Sequence, residues 1–414
     1  MDNNVLNGLF FQMKINLNYN VDIVGDYDLI VAGGGPAGVA AAVAAARKGV
    51  KTLIIERYGF LGGATTNNGV NIFMPVKRPC PFYREVVKKL KELNAIDDRH
   101  FDPEVMKIVM EEMARDAGAD IVLHSWIFDV VNKKGNSVCG VVTLSKGGMS
   151  VYTSRCVIDA TGDGDVAAFS GEEFTVGRNG DGKTQPMTLM ATLFSTDRVH
   201  KTSLSDSSIA YKEFVETPIG KNLSSENRFG CLLVNMTRIA GNGIDPKELT
   251  RAEIEGRRQL AGVIDLFKRN GYLKYHLAFS GPFVGVRETR LVKGMYTLTA
   301  EDLTAGIDFE DGITWCDYVM DIHNPNGSKG TKIQHVKPYT VPYRCMLPRK
   351  NGGLLITGRA ISTTHEAISS VRIIPQCYGL GEAAGYAAVL ARECGWDFRK
   401  VDVKRIRAWM EIDN

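Results

Sequence analysis

The chain has 414 residues, eight cysteines and a formal net charge of +3. That length exceeds one ordinary core and sets an expectation of two domains, while the charge gives no ground for a nucleic-acid or membrane-surface partner. The cysteines, scattered from Cys80 to Cys394 with no C-x-x-C pair, form neither a disulfide framework nor a metal ligand set, so no metal is expected.

At the N-terminus, Asp2 stands where a signal peptide would carry positive charge, and no apolar run approaches the roughly 20 residues of a membrane span. The expectation is a cytoplasmic protein. Phe11, Met13, Ile15, Leu17, Tyr19, Val21 and Ile23 alternate with mostly polar neighbours, a strand period. Residues 1–26 therefore read as an arm or added strand, able to pair with a sheet edge of this chain or of a second copy. Met13-Lys14 offers an alternative translation start.

From Tyr27 the pattern becomes strand, glycine turn, alanine-rich helix and a second strand over Lys51–Glu56, one right-handed βαβ unit. Amphipathic helices are predicted over Phe82–Leu93 and Pro103–Ala117, the second with Asp102 as N-cap and Pro103 at its first position. Short apolar runs at Ile121–Leu123, Ile127–Val131, Val138–Leu144 and Val151–Ile158 predict a meander returning to the main sheet. Residues 171–345, with strand-like Leu189–Phe194 and Cys231–Met236 and a helix over Pro246–Lys268, are read as an inserted substrate domain. Residues 346–414 return to the first domain (27–170) through strand Leu354–Thr357 and a small-residue helix over Pro375–Arg392. The fold class is α/β: a doubly wound, Rossmann-like domain with an inserted α+β domain.

The strongest motif is G-x-G-x-x-G at Gly33, Gly35 and Gly38, directly after an apolar strand. Gly33 permits the tight turn, Gly35 lets backbone approach a pyrophosphate, and Gly38 lets the helix pack closely. Pro36 and Ala37 open that helix, whose free N–H groups suit phosphates. Glu56, ending the second strand, is positioned for the adenosine ribose. This fingerprint alone does not separate NAD from FAD. A second glycine-rich strip through Arg57, Gly62, Gly63, Ala64 and Thr65, and a third turn at Ala160, Thr161, Gly162 and Asp165, favour the longer cofactor, FAD. Ile127 and the strand-end pair Gly358 and Arg359 complete the expected cofactor contacts. The C-terminal small-residue helix would point its N-terminus at the flavin ring, where reduced flavin carries negative charge.

With these residues in view, the chain resembles a bacterial FAD-dependent oxidoreductase family whose members are often described beside polysaccharide-degrading enzymes. More distantly it is similar to the fumarate reductase and succinate dehydrogenase flavoproteins. The resemblance runs from about residue 26 to 392. It rests on the fingerprint, on Ile158–Ala167, on Val284–Arg290 with Asp321 to His323, and most specifically on Tyr339–Gly385. No histidine or cysteine lies between Arg57 and Asn71, where covalently flavinylated fumarate reductase relatives place a histidine, so the FAD is expected to be non-covalent. No second fingerprint marks an NAD(P)H domain, which leaves the electron acceptor unnamed.

His365 is the first candidate acid/base, with Arg372 orienting substrate; Arg287, Arg290, His323, Tyr343 and Arg344 are further candidates. The expected reaction is hydride transfer between a small-molecule CH–OH or CH–NH group and flavin N5. Reduction of a C=C bond in an unsaturated acid is the alternative within enzymes. A non-catalytic FAD-binding electron carrier or scaffold is the alternative outside them.

Overall fold

The computed structural model describes residues 18–133, 137–196, 208–227, 230–327 and 330–413. Strand β1 (Ile23–Ala32) carries the apolar run before the glycine turn, and Leu29–Ala32 are fully buried between two parallel neighbours. Helix α1 (Pro36–Ala46) follows, then β2 (Thr52–Ile55), closing the predicted βαβ unit. Amphipathic helices α2 (Pro81–Glu92) and α3 (Pro103–Asp116) come next. The Asp102 side chain caps α3 by accepting from the amides of Glu104 (2.8 Å) and Val105 (3.4 Å). Met106, Val109, Met110 and Met113, at helical spacing, are buried.

Strands β3 (Asp120–Val122), β4 (Trp126–Asn132), β5 (Val138–Ser145) and β6 (Gly148–Asp159) complete this half of the sheet. The order is β3-β2-β1-β6-β5-β4, parallel from β3 to β6 and antiparallel across the β6-β5-β4 meander.

A second sheet is wholly antiparallel. It is built from β7 (Ala191–Ser195), β8 (Ser224–Glu226), β9 (Cys231–Val234) and, after the long helix α4 (Pro246–Arg269), β10 (Tyr275–Ser280), in the order β8-β9-β7-β10. Its buried residues form a separate hydrophobic cluster running from Met187 to Val284. A hairpin of β11 (Met320–His323) and β12 (Thr331–Gln334) follows. Strand β13 (Leu354–Ile356) then adds to β6 in parallel, and α5 (His365–Val371) leads into α6 (Ile374–Ala391). From Val292 onward the buried residues pack with the first cluster.

Helices α1 and α6 touch backbone to backbone. A Cβ on Gly381 would overlap the Ala37 carbonyl, and one on Gly385 the Ala41 carbonyl. The small-residue composition of both helices has this close approach as its cause.

The expected N-terminal arm falls mostly outside the described residues. Within them, residues 18–22 form no strand. Ile23 begins β1 itself, pairing with Val151 of β6 inside the sheet rather than adding to a free edge. The alternation near Tyr19–Ile23 is therefore the approach to the fingerprint strand, not a separate element.

Candidate functional site

The glycine turn, the second glycine strip, the β6 turn and the α6 N-terminus converge on a cavity of about 590 Å³, a size usual for small-molecule sites. Its wall includes Gly33, Gly35, Pro36, Ala37, Glu56, Arg57, Gly63, Ala64, Ile127, Ala160, Thr161, Gly162, Asp165, Gly358 and Arg359. Each fingerprint glycine has its own steric reason. Gly33 has φ +103°, and Gly38 sits where a Cβ would overlap the Gly33 carbonyl. Gly35 is different: a Cβ there would meet no protein atom within 4 Å and would stand in the cavity. Gly35 is also the N-cap of α1, and no side chain caps that helix. Its first-turn N–H groups are thus open to an anion.

Glu56 is buried, and burial raises its pKa. Its two oxygens accept from the amides of Gly34 (2.7 Å) and Tyr58 (3.0 Å), which leaves lone pairs for a hydroxyl. Arg57 lies over the rings of Tyr58 and Trp126, with Asp163 4.0 Å away.

Gly38, Gly62 and Thr65 lie off the cavity wall. The Gly62 amide donates to the Gly34 carbonyl (2.8 Å) and holds the second strip against the first, while the Thr65 hydroxyl donates to the Gly62 carbonyl (2.8 Å) within that strip. The third turn is organised by buried Asp159, which accepts from the Thr161 hydroxyl (2.7 Å) and the Ala167 amide (2.9 Å). Arg359 pairs with Asp163 at 2.6 Å, and Arg290 with Asp165 at 2.8 Å.

Two observations test whether these residues fit a flavin dinucleotide. Helix α6 begins at the cavity with Ile373 as its uncapped N-cap, so a second helix N-terminus faces the same space as that of α1. Asn67, on the wall and 1% exposed, has a side-chain amide with no partner for either its nitrogen or its oxygen. A polar, planar ligand with donors and acceptors along its edge supplies what that amide lacks. The residues fit the group.

The polar part of the cavity is lined by Arg287, Tyr318, Asp321, His323, Thr331 and Arg372. His323 Nε2 is 3.2 Å from Asp321 Oδ2, and its Nδ1 is 3.2 Å from the Thr331 hydroxyl. Burial and the Arg287 guanidinium push the His323 pKa down, against the opposing pull of Asp321. Both shifts favour a neutral imidazole beside an ionised Asp321.

Four expected catalytic residues are not on this wall: Arg290, which is paired with Asp165, and His365, Tyr343 and Arg344. His365 is buried behind it, its Nδ1 held by the Glu288 carboxylate at 2.8 Å. Tyr343 is buried with its hydroxyl donating to the Phe398 carbonyl (3.0 Å), a packing role. Arg344 forms a surface fork on Asp311 (2.9 and 3.1 Å). Tyr318, Asn67 and buried Arg238 were not anticipated. Asp321 and His323, two apart on one strand, share a face, which the sequence does signal.

The fold and this cavity define a dinucleotide-binding protein of the flavin type. A family model described as FAD dependent oxidoreductase matches residues 28–410, and the chain belongs to that family: it is an enzyme and FAD is its cofactor. The expectation of a non-catalytic carrier gives way accordingly. The chain is similar to thiamine thiazole synthase of Methanococcus maripaludis (strain C5), with 31% identity over 162 residues, 36% of this chain and 61% of that protein. The enzyme of that name from Sulfolobus acidocaldarius is 30% identical over 156 residues, 34% of this chain and 57% of its own length. The chain thus spans about three fifths of the length of these relatives.

Among solved structures, a geranylgeranyl bacteriochlorophyll reductase-like protein from Thermoplasma acidophilum superposes with a TM-score of 0.50 at 15% identity, over 94% of this chain and 83% of the other. A flavin-dependent brominase gives 0.50 at 14%, over 93% and 84%. At such identities the likeness is one of fold. No described helix is long and apolar enough to cross a membrane.

Proposed function

We propose that this enzyme moves hydride between a small organic substrate, at a CH–OH or CH–NH carbon, and the flavin, and that it works in the cytoplasm with non-covalent FAD. The observation that carries this reading is one cavity lined by two unlike groups of residues, the glycines and helix N-termini of the cofactor motifs and the polar cluster of Asp321, His323 and Thr331. Bound flavin supplies a two-electron acceptor or donor for the hydride.

The chain's own groups manage the proton. Asp321 accepts from His323 Nε2–H, which leaves Nδ1 to accept from Thr331. The Thr331 hydroxyl takes the substrate's proton as its own passes to His323 Nδ1, and Asp321 offsets part of the burial and Arg287 repulsion that disfavour the imidazolium so formed. Tyr318 and Arg287 border the same space.

Anaerobic mixing of the yellow protein with alcohols, sugars and amines tests this by loss of flavin absorbance. With a reacting substrate in hand, His323→Asn should keep its FAD and slow flavin reduction by about two to four orders of magnitude. Parental kinetics in His323→Asn, together with a slow His365→Asn, would return the proton to His365. The arginines in the polar part of the cavity favour a second reading, C=C reduction of an unsaturated acid. Rapid reoxidation of chemically reduced flavin by such acids would select it.

A further inference from the structure

We infer that the polar part of the cavity is a carboxylate site, in which Arg287 and Arg372 grip the acid group of an organic-acid substrate. The inference rests on the flavin oxidoreductase reading and names its substrate class.

One short segment pins both guanidiniums. Arg287 Nη1 donates to the Pro186 carbonyl (2.6 Å) and the Thr188 hydroxyl (2.6 Å). Arg372 Nη2 donates to Gln185 Oε1 (3.1 Å) and the Asp321 carbonyl (3.4 Å). Every one of these acceptors is neutral. Behind them, Arg238 donates to the same Thr188 hydroxyl (3.1 Å), to Asn235 Oδ1 (2.8 Å) and to the Thr237 carbonyl (2.6 Å). Buried N–H groups remain without a partner: Nε of Arg372, and Nε and Nη2 of Arg238.

The charges do not balance either. Three guanidiniums face two carboxylates, Asp321 and, at Arg372, Glu288, which leaves one positive charge over. Both carboxylates are also hydrogen-bonded to an imidazole, Asp321 to His323 and Glu288 to His365. Burial lowers the pKa of all three arginines, and mutual repulsion adds to it at Arg287. Arginine does not shed its proton under such pressure, so the charge stays and calls for a counter-ion. A water could satisfy the N–H groups but not the charge.

The geometry selects a carboxylate among anions. Two forked guanidiniums match a planar group that accepts in pairs. Ile219, Leu223, Leu233, Val286 and Ile333 also line the cavity and suit a hydrocarbon body, not a free inorganic ion. Arg372 immediately precedes Ile373, the N-cap of α6, so the acid is held beside the helix end that faces the flavin.

The test uses the oxidised FAD-loaded protein, read by the flavin difference spectrum and by melting temperature, with hexanoate, hexanamide, sulfate and bromide as probes. Hexanoate should perturb both signals saturably, and hexanamide at least about tenfold more weakly. Arg287→Gln and Arg372→Gln should each raise the half-saturating hexanoate about ten- to a hundredfold. Arg372→Lys, which keeps the buried charge, guards against a variant that fails to fold and should still weaken binding. Equal binding of hexanamide, unchanged affinity in the variants, or sulfate or bromide binding as tightly as hexanoate would overturn the carboxylate assignment. If no acid perturbs the protein while a neutral alcohol or amine bleaches its flavin, this inference falls and the hydride-transfer reading stands.

Discussion

The Glu56 carboxylate is engaged before any ligand arrives, held by the amides of Gly34 and Tyr58 in a buried site. Those bonds set its direction, and its remaining lone pairs set its use. Replacing it with arginine puts a longer cation into that space and strands two amides. Glu56→Arg should weaken FAD binding at least about tenfold, measured by flavin fluorescence on titrating apoprotein; unchanged affinity would mean the ribose lies elsewhere. Single residues were legible where each had its own local reason, as at Gly33, Gly35, Gly38 and Glu56. His365 was not. It opens α5 while Arg372 follows its end, so the two lie about 10 Å apart along one helix. His365 is also captured by Glu288, a partner that no local pattern reveals.

At the scale of elements, periodicity and caps foretold α2, α3 and α4 to within a residue or two, because amphipathic spacing and Asp or Pro at the start are local properties. The hairpin β11-β12 was missed, since its short strands gain meaning only by pairing with each other and bordering the cavity. Helix α6 was read correctly as a close-packing helix, yet one of its consequences needs the structure. Glu382 is buried, with Oε2 accepting from the Phe82 amide (3.0 Å) and Oε1 from the Tyr386 hydroxyl (3.3 Å). Burial pushes its pKa up to about 7. The folded state therefore binds a proton that the unfolded chain has already lost above its ordinary carboxylate value. Stability from this group is full below about pH 4.5 and falls as pH rises through 7. Glu382→Gln keeps the shape and one acceptor and removes the ionisation. It should stabilise the protein by about 1–3 kcal/mol at pH 8 and by little at pH 5, in denaturant titrations at both pH values. An equal effect at the two pH values would show that Glu382 does not titrate in this range.

For the whole molecule, the cavity takes its walls from both hydrophobic clusters: Ile219 and Val284 belong to one, Ile55 and Ala160 to the other. A long ligand seated there fastens the two cores together, and it does so by mass action alone if no bond links it to the protein. The wall supports that condition. Between residues 57 and 71 there is no histidine or cysteine. Cys377, which lines the cavity, donates its thiol to the Arg372 carbonyl (3.3 Å), and burial holds its pKa up to about 12, so it is no thiolate nucleophile. Acid precipitation should leave the yellow colour in the supernatant. Added FAD should then raise the melting temperature of the apoprotein with concentration, reaching about 2.7 kcal/mol of stabilisation when free FAD exceeds its dissociation constant a hundredfold. Because both cores line the site, the two should melt together when FAD is saturating and separate into two transitions when it is stripped. Flavin that stays with the acid pellet, or a single melting transition indifferent to FAD, would show that the cofactor is bonded to the chain or is not what joins its halves.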